Sequence, residues 1–135
     1  MELAGADIAR IPQTNLRVPR ADFVAVWIIA EERVSHEWYA LGVAVSCRWL
    51  AQATVPSFDG VLYPAHAPVT KSTRRAYEEL IEAEYVAAER LDLRRPRPAW
   101  LVERPGWIEG ICATLRWAWQ RTGPPPIQVD ERVVG

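Results

Sequence analysis

The chain has 135 residues, 50% apolar and 24% charged, with a formal net charge of −1. That length fits one domain with room for a real core. The near-neutral balance excludes a global pull toward nucleic acid or anionic membrane, so such a contact needs a local patch. No stretch approaches the roughly 18–20 uncharged apolar residues of a membrane span. Met1–Leu16 lacks the basic start and apolar run of a secretory leader. The expectation is a cytoplasmic protein that does not engage a membrane. Of the 16 basic residues only Lys71 is a lysine, a skew that fits a GC-rich bacterial coding sequence. Cys47 and Cys112 lie in apolar helical patterns and read as buried free thiols rather than a disulfide.

Residues 1–19 read as an N-terminal arm docked on the domain; Pro12 and Pro19 leave no room for a helix-turn-helix. Pro19 suits the first position of a helix over 20–33, where Phe23, Val26, Trp27 and Ala30 share a face and Val24, Ile28 and Ile29 fill the others. Ser35 can cap a second helix over 35–53, with Trp38, Leu41, Gly42, Val45 and Trp49 near one line and Arg48 as the one charge on its apolar body. Thr54–Val69 is a long loop with three prolines, an Asp59-Gly60 turn that permits a small hairpin, and His66. The third helix is expected over 70–93, with Tyr77, Leu80, Ile81, Ala88 and Leu91 as its apolar stripe, and Pro96 and Pro98 ending it. A fourth covers 105–122, stopped by Pro124-Pro125-Pro126.

The fold expected is all-α: a compact orthogonal or antiparallel bundle of about four main helices, with the long loop between the second and third. It occupies a single domain, 1–123, followed by a Pro-rich extended or disordered tail, 124–135. The runner-up is α+β, with Phe23–Ile29 and Val61–Tyr63 as strands.

Three groups of residues stand out. Residues 100–123 hold four of the seven tryptophans. Ile108, Ile111, Cys112, Leu115 and Trp119 share a core-facing line, whereas Trp117 lies nearly opposite, over Gly110, Ala113 and Thr114, with Arg121 beside it. Trp117, Trp107, Trp100 and Arg121 are therefore candidate partner contacts, provided the arm does not cover them. Glu84 projects inside the apolar stripe of the third helix, so it needs a partner. Arg48 is the first choice and Arg116 the second; the alternative is a functional carboxylate near His66. Lys71, Arg74 and Arg75, beside Thr70, Ser72 and Thr73, form a basic cluster at the expected start of that helix, suited to an anion or nucleic acid; the plain alternative pairs Arg74 with Glu78 and Arg75 with Glu79.

His36, His66, Cys47 and Cys112 lack the spacing of a structural zinc site, so no metal and no other cofactor is expected. No phosphate loop, nucleophile elbow or catalytic triad is present to name a reaction.

The first functional reading is a protein-protein interaction or adaptor module that binds another protein or a second copy through an exposed Trp/Arg surface on the last helix. The second is a DNA-associated regulator using Lys71, Arg74 and Arg75, with Arg94, Arg95 and Arg97 in support. The third is a small-molecule binder or small enzyme with a pocket between the long loop and the helices, using His66, Tyr63, Glu84 and Arg48.

Overall fold

A computed structural model describes residues 8–129, and the chain is mostly helical: 54% helix, in five helices, with one small two-stranded hairpin. In chain order the elements are α1 (Arg20–Arg33), α2 (Trp38–Leu50), β1 (Thr54–Pro56), β2 (Leu62–Pro64), α3 (Glu78–Leu93), α4 (Ala99–Val102) and α5 (Trp107–Leu115). A π-helical turn, Arg116–Gln120, continues α5. The runner-up strand at Phe23–Ile29 is helix instead, because this segment is buried on several sides at once. The strand expected near Val61–Tyr63 is present as β2.

Pro19 sits just before α1 with an extended backbone, where its missing N–H costs nothing. The second helix is shorter than its apolar pattern. Its start moves from Ser35 to Trp38 because Glu37 is extended, and Ser35 bonds His36 instead of capping. Its end is a Schellman turn. Gln52 takes the left-handed conformation at φ +54, Ala53 N–H donates to the Arg48 carbonyl at 2.9 Å and Gln52 N–H to the Trp49 carbonyl at 3.0 Å. Glycine normally marks such a stop, and a glutamine gives no warning of it in the sequence.

The third helix starts eight residues later than its expected start at Thr70, at Glu78. The backbone of 69–76 is claimed by side chains from elsewhere. Glu84 takes the N–H groups of Val69 and Thr70, the Trp49 indole N–H takes the Arg74 carbonyl, and Asn15 and Gln52 both donate to the Ala76 carbonyl. Carbonyls already bonded across the fold, those of Arg74 and Ala76, are not offered to a helical turn.

The core centres on α2, which packs against α1 and α5, while α5 also packs against α3. Two glycines allow the α2–α5 approach. A Cβ added at Gly42 would collide with the Trp107 carbonyl oxygen and come within 3.2 Å of the Ile111 nitrogen. One added at Gly110 would collide with the Tyr39 carbonyl oxygen and lie 3.1 Å from the Val43 nitrogen. The helices therefore meet backbone to backbone.

The arm and tail complete the body. Asn15 is buried and donates to the Leu50 carbonyl at 2.8 Å, Arg17 N–H donates to the Ala118 carbonyl at 2.7 Å, and Ile11 and Leu16 join the core. After the three prolines the chain turns back: the Tyr39 hydroxyl donates to the Pro126 carbonyl at 2.7 Å and Ile127 is buried. The packed unit thus runs past the expected boundary at 123. The outer ends of the expected arm and tail lie outside the described residues.

Gly42→Ala and Gly110→Ala give a test of sign. Helix propensity alone makes each substitution stabilising by about 1 kcal/mol. The backbone collision makes each destabilising by about 3 kcal/mol. Chemical denaturation of the two variants is expected to show the loss.

Candidate functional site

The long loop folds back on α2 and leaves a cleft. Its turn is the expected one: Gly60 has φ +84, Gly60 N–H donates to the Ser57 carbonyl at 3.0 Å, and the Ser57 hydroxyl binds the Asp59 carboxylate. The strands pair antiparallel, Thr54 with Pro64, Val55 with Tyr63 and Pro56 with Leu62. The space between this hairpin, the following 65–68 segment, Lys71 and α2 measures about 510 Å³ and is open to solvent. That volume lies within the range of small-molecule sites. Its apolar walls are Val45, Val55, Pro56, Pro64, Ala65, Ala67 and Pro68; its polar groups are Ser57, Tyr63, Arg48, His66 and Lys71. No carboxylate lines it.

Three of the four residues expected in a pocket, Arg48, Tyr63 and His66, do meet here, and Lys71 joins them from the basic cluster. Arg48 is held by a two-pronged pair with Glu31, Nε to Oε2 at 2.7 Å and Nη2 to Oε1 at 2.6 Å. Burial alone would raise the Glu31 pKa, but the Arg48 hydrogen bonds and charge, with a 2.9 Å bond from the Trp27 indole, hold it below the ordinary carboxylate value. Nη1 of Arg48 takes no part in that fork.

Lys71 has a left-handed backbone at φ +64, a conformation that costs a side-chain-bearing residue about 1–2 kcal/mol. Its N–H donates to the Ala67 carbonyl at 3.1 Å, and Ala67 N–H donates to the Ser72 carbonyl at 3.0 Å, closing a tight loop. Its ammonium lies 5.3 Å from the centre of the Trp107 ring. Partial burial and then the Arg104 charge push its pKa below the ordinary lysine value, against a smaller opposing pull from Glu84.

Glu84 corrects the expected ion pair. It is buried, as its place in the stripe required, but neither Arg48 nor Arg116 reaches it. Arg48 pairs with Glu31, and Arg116 forks onto Glu89 at 2.6 and 2.7 Å. Glu84 Oε2 accepts the Val69 N–H at 2.5 Å and the Thr70 N–H at 3.0 Å, and Oε1 accepts the Thr70 hydroxyl at 2.7 Å. It is a clamp from α3 onto the loop that carries Lys71, and it does not line the cleft.

The remaining basic cluster does not form as expected. Arg74 and Arg75 are exposed on irregular backbone ahead of α3, and among the described residues neither pairs with Glu78 or Glu79. Arg95 bonds the Asp92 and Arg94 carbonyls, and Arg97 pairs with Asp92 at 2.8 Å.

The tryptophan surface of the last helix is also corrected. Trp107 is 3% exposed and Trp117 is 7% exposed. The seat over Gly110 is occupied by Tyr39 and Val43 of α2. Arg121 is exposed and left-handed at φ +56, ending the π turn. Trp100, at 44%, stays open, and so does Trp38, at 40%, at the start of the apolar line of the second helix. Arg104 lies between them, 5.5 Å from the Trp100 ring and 5.6 Å from those of Trp38 and Trp107. This cation–aromatic group was not legible in the sequence, since Arg104 carries no pattern that marks it.

Cys47 and Cys112 are free and buried. Burial pushes the Cys47 thiol far up and the Cys112 thiol up to about 12. Among the described residues no group of three His, Cys, Asp or Glu side chains is placed to hold a metal ion, and no helix is long and apolar enough to cross a membrane. No family model, curated protein or solved structure matches the chain.

Three outcomes follow from these contacts. Glu84→Gln keeps an oxygen for both N–H groups while the Thr70 hydroxyl turns to accept, so it costs little. Glu84→Ala leaves those donors unmet and costs about 2 kcal/mol; urea unfolding separates the two. Arg48→Ala strands Glu31 and costs about 3 kcal/mol. The Glu31 contribution is present above its unfolded pKa near 4.5 and is lost as pH falls through the lower folded value, so Glu31→Gln flattens that part of an acid titration of stability. Both cysteines stay silent to an aromatic disulfide reagent at pH 8 in the native protein and react on unfolding.

Proposed function

We propose that this protein is a small-ligand binding module, a helical bundle-like scaffold whose cleft between the hairpin and α2 takes an anion with an apolar body. The observation that carries the reading is the composition of the cleft wall: apolar on most of its area, with Arg48, His66 and Lys71 as the charged or chargeable groups and no carboxylate. A ligand carboxylate gains from those groups, and its hydrocarbon part gains from leaving water. This third reading of the sequence now leads, because two of the four contacts required by the first, Trp107 and Trp117, are covered by the chain itself.

A second reading retains protein-protein interaction but moves the surface. Phe58, at the hairpin tip, is fully exposed, with Val61 and Leu62 beside it. Each strand of the two-stranded sheet also has one open edge among the described residues. The occupant this fits is a second copy of the chain, edge to edge across a two-fold axis.

Phenylacetate and its uncharged amide test the first reading by calorimetry. The carboxylate is expected to bind at least tenfold tighter, and Val45→Trp, which fills the cleft, is expected to abolish binding; equal affinities would overturn it. Light scattering after size exclusion tests the second: a dimer that Phe58→Ser dissociates supports it, and a monomer at all concentrations removes it.

A further inference from the structure

We propose that Lys71 is a nucleophilic amine that captures the carbonyl carbon of a 2-oxo acid held in the cleft, forming an imine. The inference rests on the cleft reading and adds a reaction to it.

Three observations converge on this residue. It is the only lysine in a chain that carries 16 basic residues. Arginine supplies permanent charge everywhere else; only lysine can give up its proton and present a lone pair. Lys71 also borders a cleft that combines apolar walls with groups able to orient a carboxylate. Finally, its surroundings loosen its proton. Partial burial and the charge of Arg104, which stands 5.6 Å from the ring that Lys71 also faces, lower its pKa, while the Trp107 face itself favours the ammonium. A lysine beside a second cation presents more neutral, nucleophilic amine than a free one. The charged and titratable groups around it are Arg104, Glu84 from α3, and His66 and Arg48 along the cleft. Glu84 opposes Arg104, but its carboxylate is committed to the loop backbone.

The chemistry is redox-neutral. The amine lone pair forms a C–N bond as the carbonyl π bond opens onto oxygen. Nitrogen loses a proton and oxygen gains one, giving a carbinolamine. Oxygen takes a second proton and leaves as water while nitrogen forms the C=N bond, and the resulting iminium gives up its remaining N–H proton. The sum is amine plus ketone giving imine plus water. Tyr63 and His66 border the same cleft and are the groups available to pass these protons. Glu84 is a positioning residue here: by fixing Val69 and Thr70 it holds the turn in which Lys71 adopts its left-handed backbone.

The single lysine makes the test unambiguous. The full chain is incubated at pH 7 with phenylpyruvate and cyanoborohydride, which reduces an iminium to a stable secondary amine, and adducts are mapped by mass spectrometry. Lys71 is expected to be labelled at least tenfold faster than Nα-acetyl-lysine amide and ahead of the chain's α-amine, with phenylacetate protecting it. Lys71→Arg is expected to lose the adduct. Labelling of Lys71 no faster than the free amine, with phenylacetate still bound, overturns the lysine's role and leaves the cleft reading standing. Absence of both binding and selective labelling overturns the two together.

Discussion

The structure depends on one close crossing. Gly42 and Gly110 let α2 and α5 meet with backbone against backbone, each glycine facing a carbonyl of the other helix. Nothing larger fits the seam, so the bulky residues are placed around it. Trp27, Trp49 and Trp119 fill the flanks, and each of these buried indoles has its N–H bonded: to Glu31 at 2.9 Å, to the Arg74 carbonyl at 3.1 Å and to Glu82 at 2.6 Å. A tryptophan used this way supplies apolar bulk and a directed hydrogen bond at once. The high tryptophan content is thus mainly a consequence of how the body is assembled, with Trp38 and Trp100 the exceptions at its surface.

The crossing commits one side of α2 to α5 and leaves Val45 and Arg48 to meet the returning loop. That loop has little regular structure of its own, yet it is not loosely held. Its order comes from outside it: Glu84 on 69 and 70, Trp49 on 74, Asn15 and Gln52 on 76. The cleft is therefore built by contacts far apart in sequence. Arg48 is oriented by Glu31 from α1, and Lys71 by Glu84 from α3.

This explains what could be read in advance. Pro19 marked the start of α1, the Asp59-Gly60 turn marked the hairpin, and the apolar pattern marked both cysteines as buried, because each signal is local. Projection also placed Glu84 correctly inside its stripe. It could not name the partner, since the partner is main chain and main chain has no signature in a sequence. The same limit hid the start of α3. Trp117 was misjudged for a related reason: projection gives an angle around a helix, but not which neighbouring element fills it. The pattern makes Gly110 part of a seat for a second element, the N-terminal arm or a partner, and α2 occupies that seat.

The charge pattern of the cleft follows from these placements. Nε and Nη2 of Arg48 are spent on Glu31, which leaves Nη1 outside that fork. His66 is exposed at the loop. Lys71 thus becomes the principal amine at the cleft, with Arg104 repelling its protonated form and Trp107 beneath it. An arginine at the same position would keep the anion attraction but could never shed its proton. The two substitutions differ in one property, the availability of a lone pair, and that property separates a site that merely holds an anion from one that reacts with it.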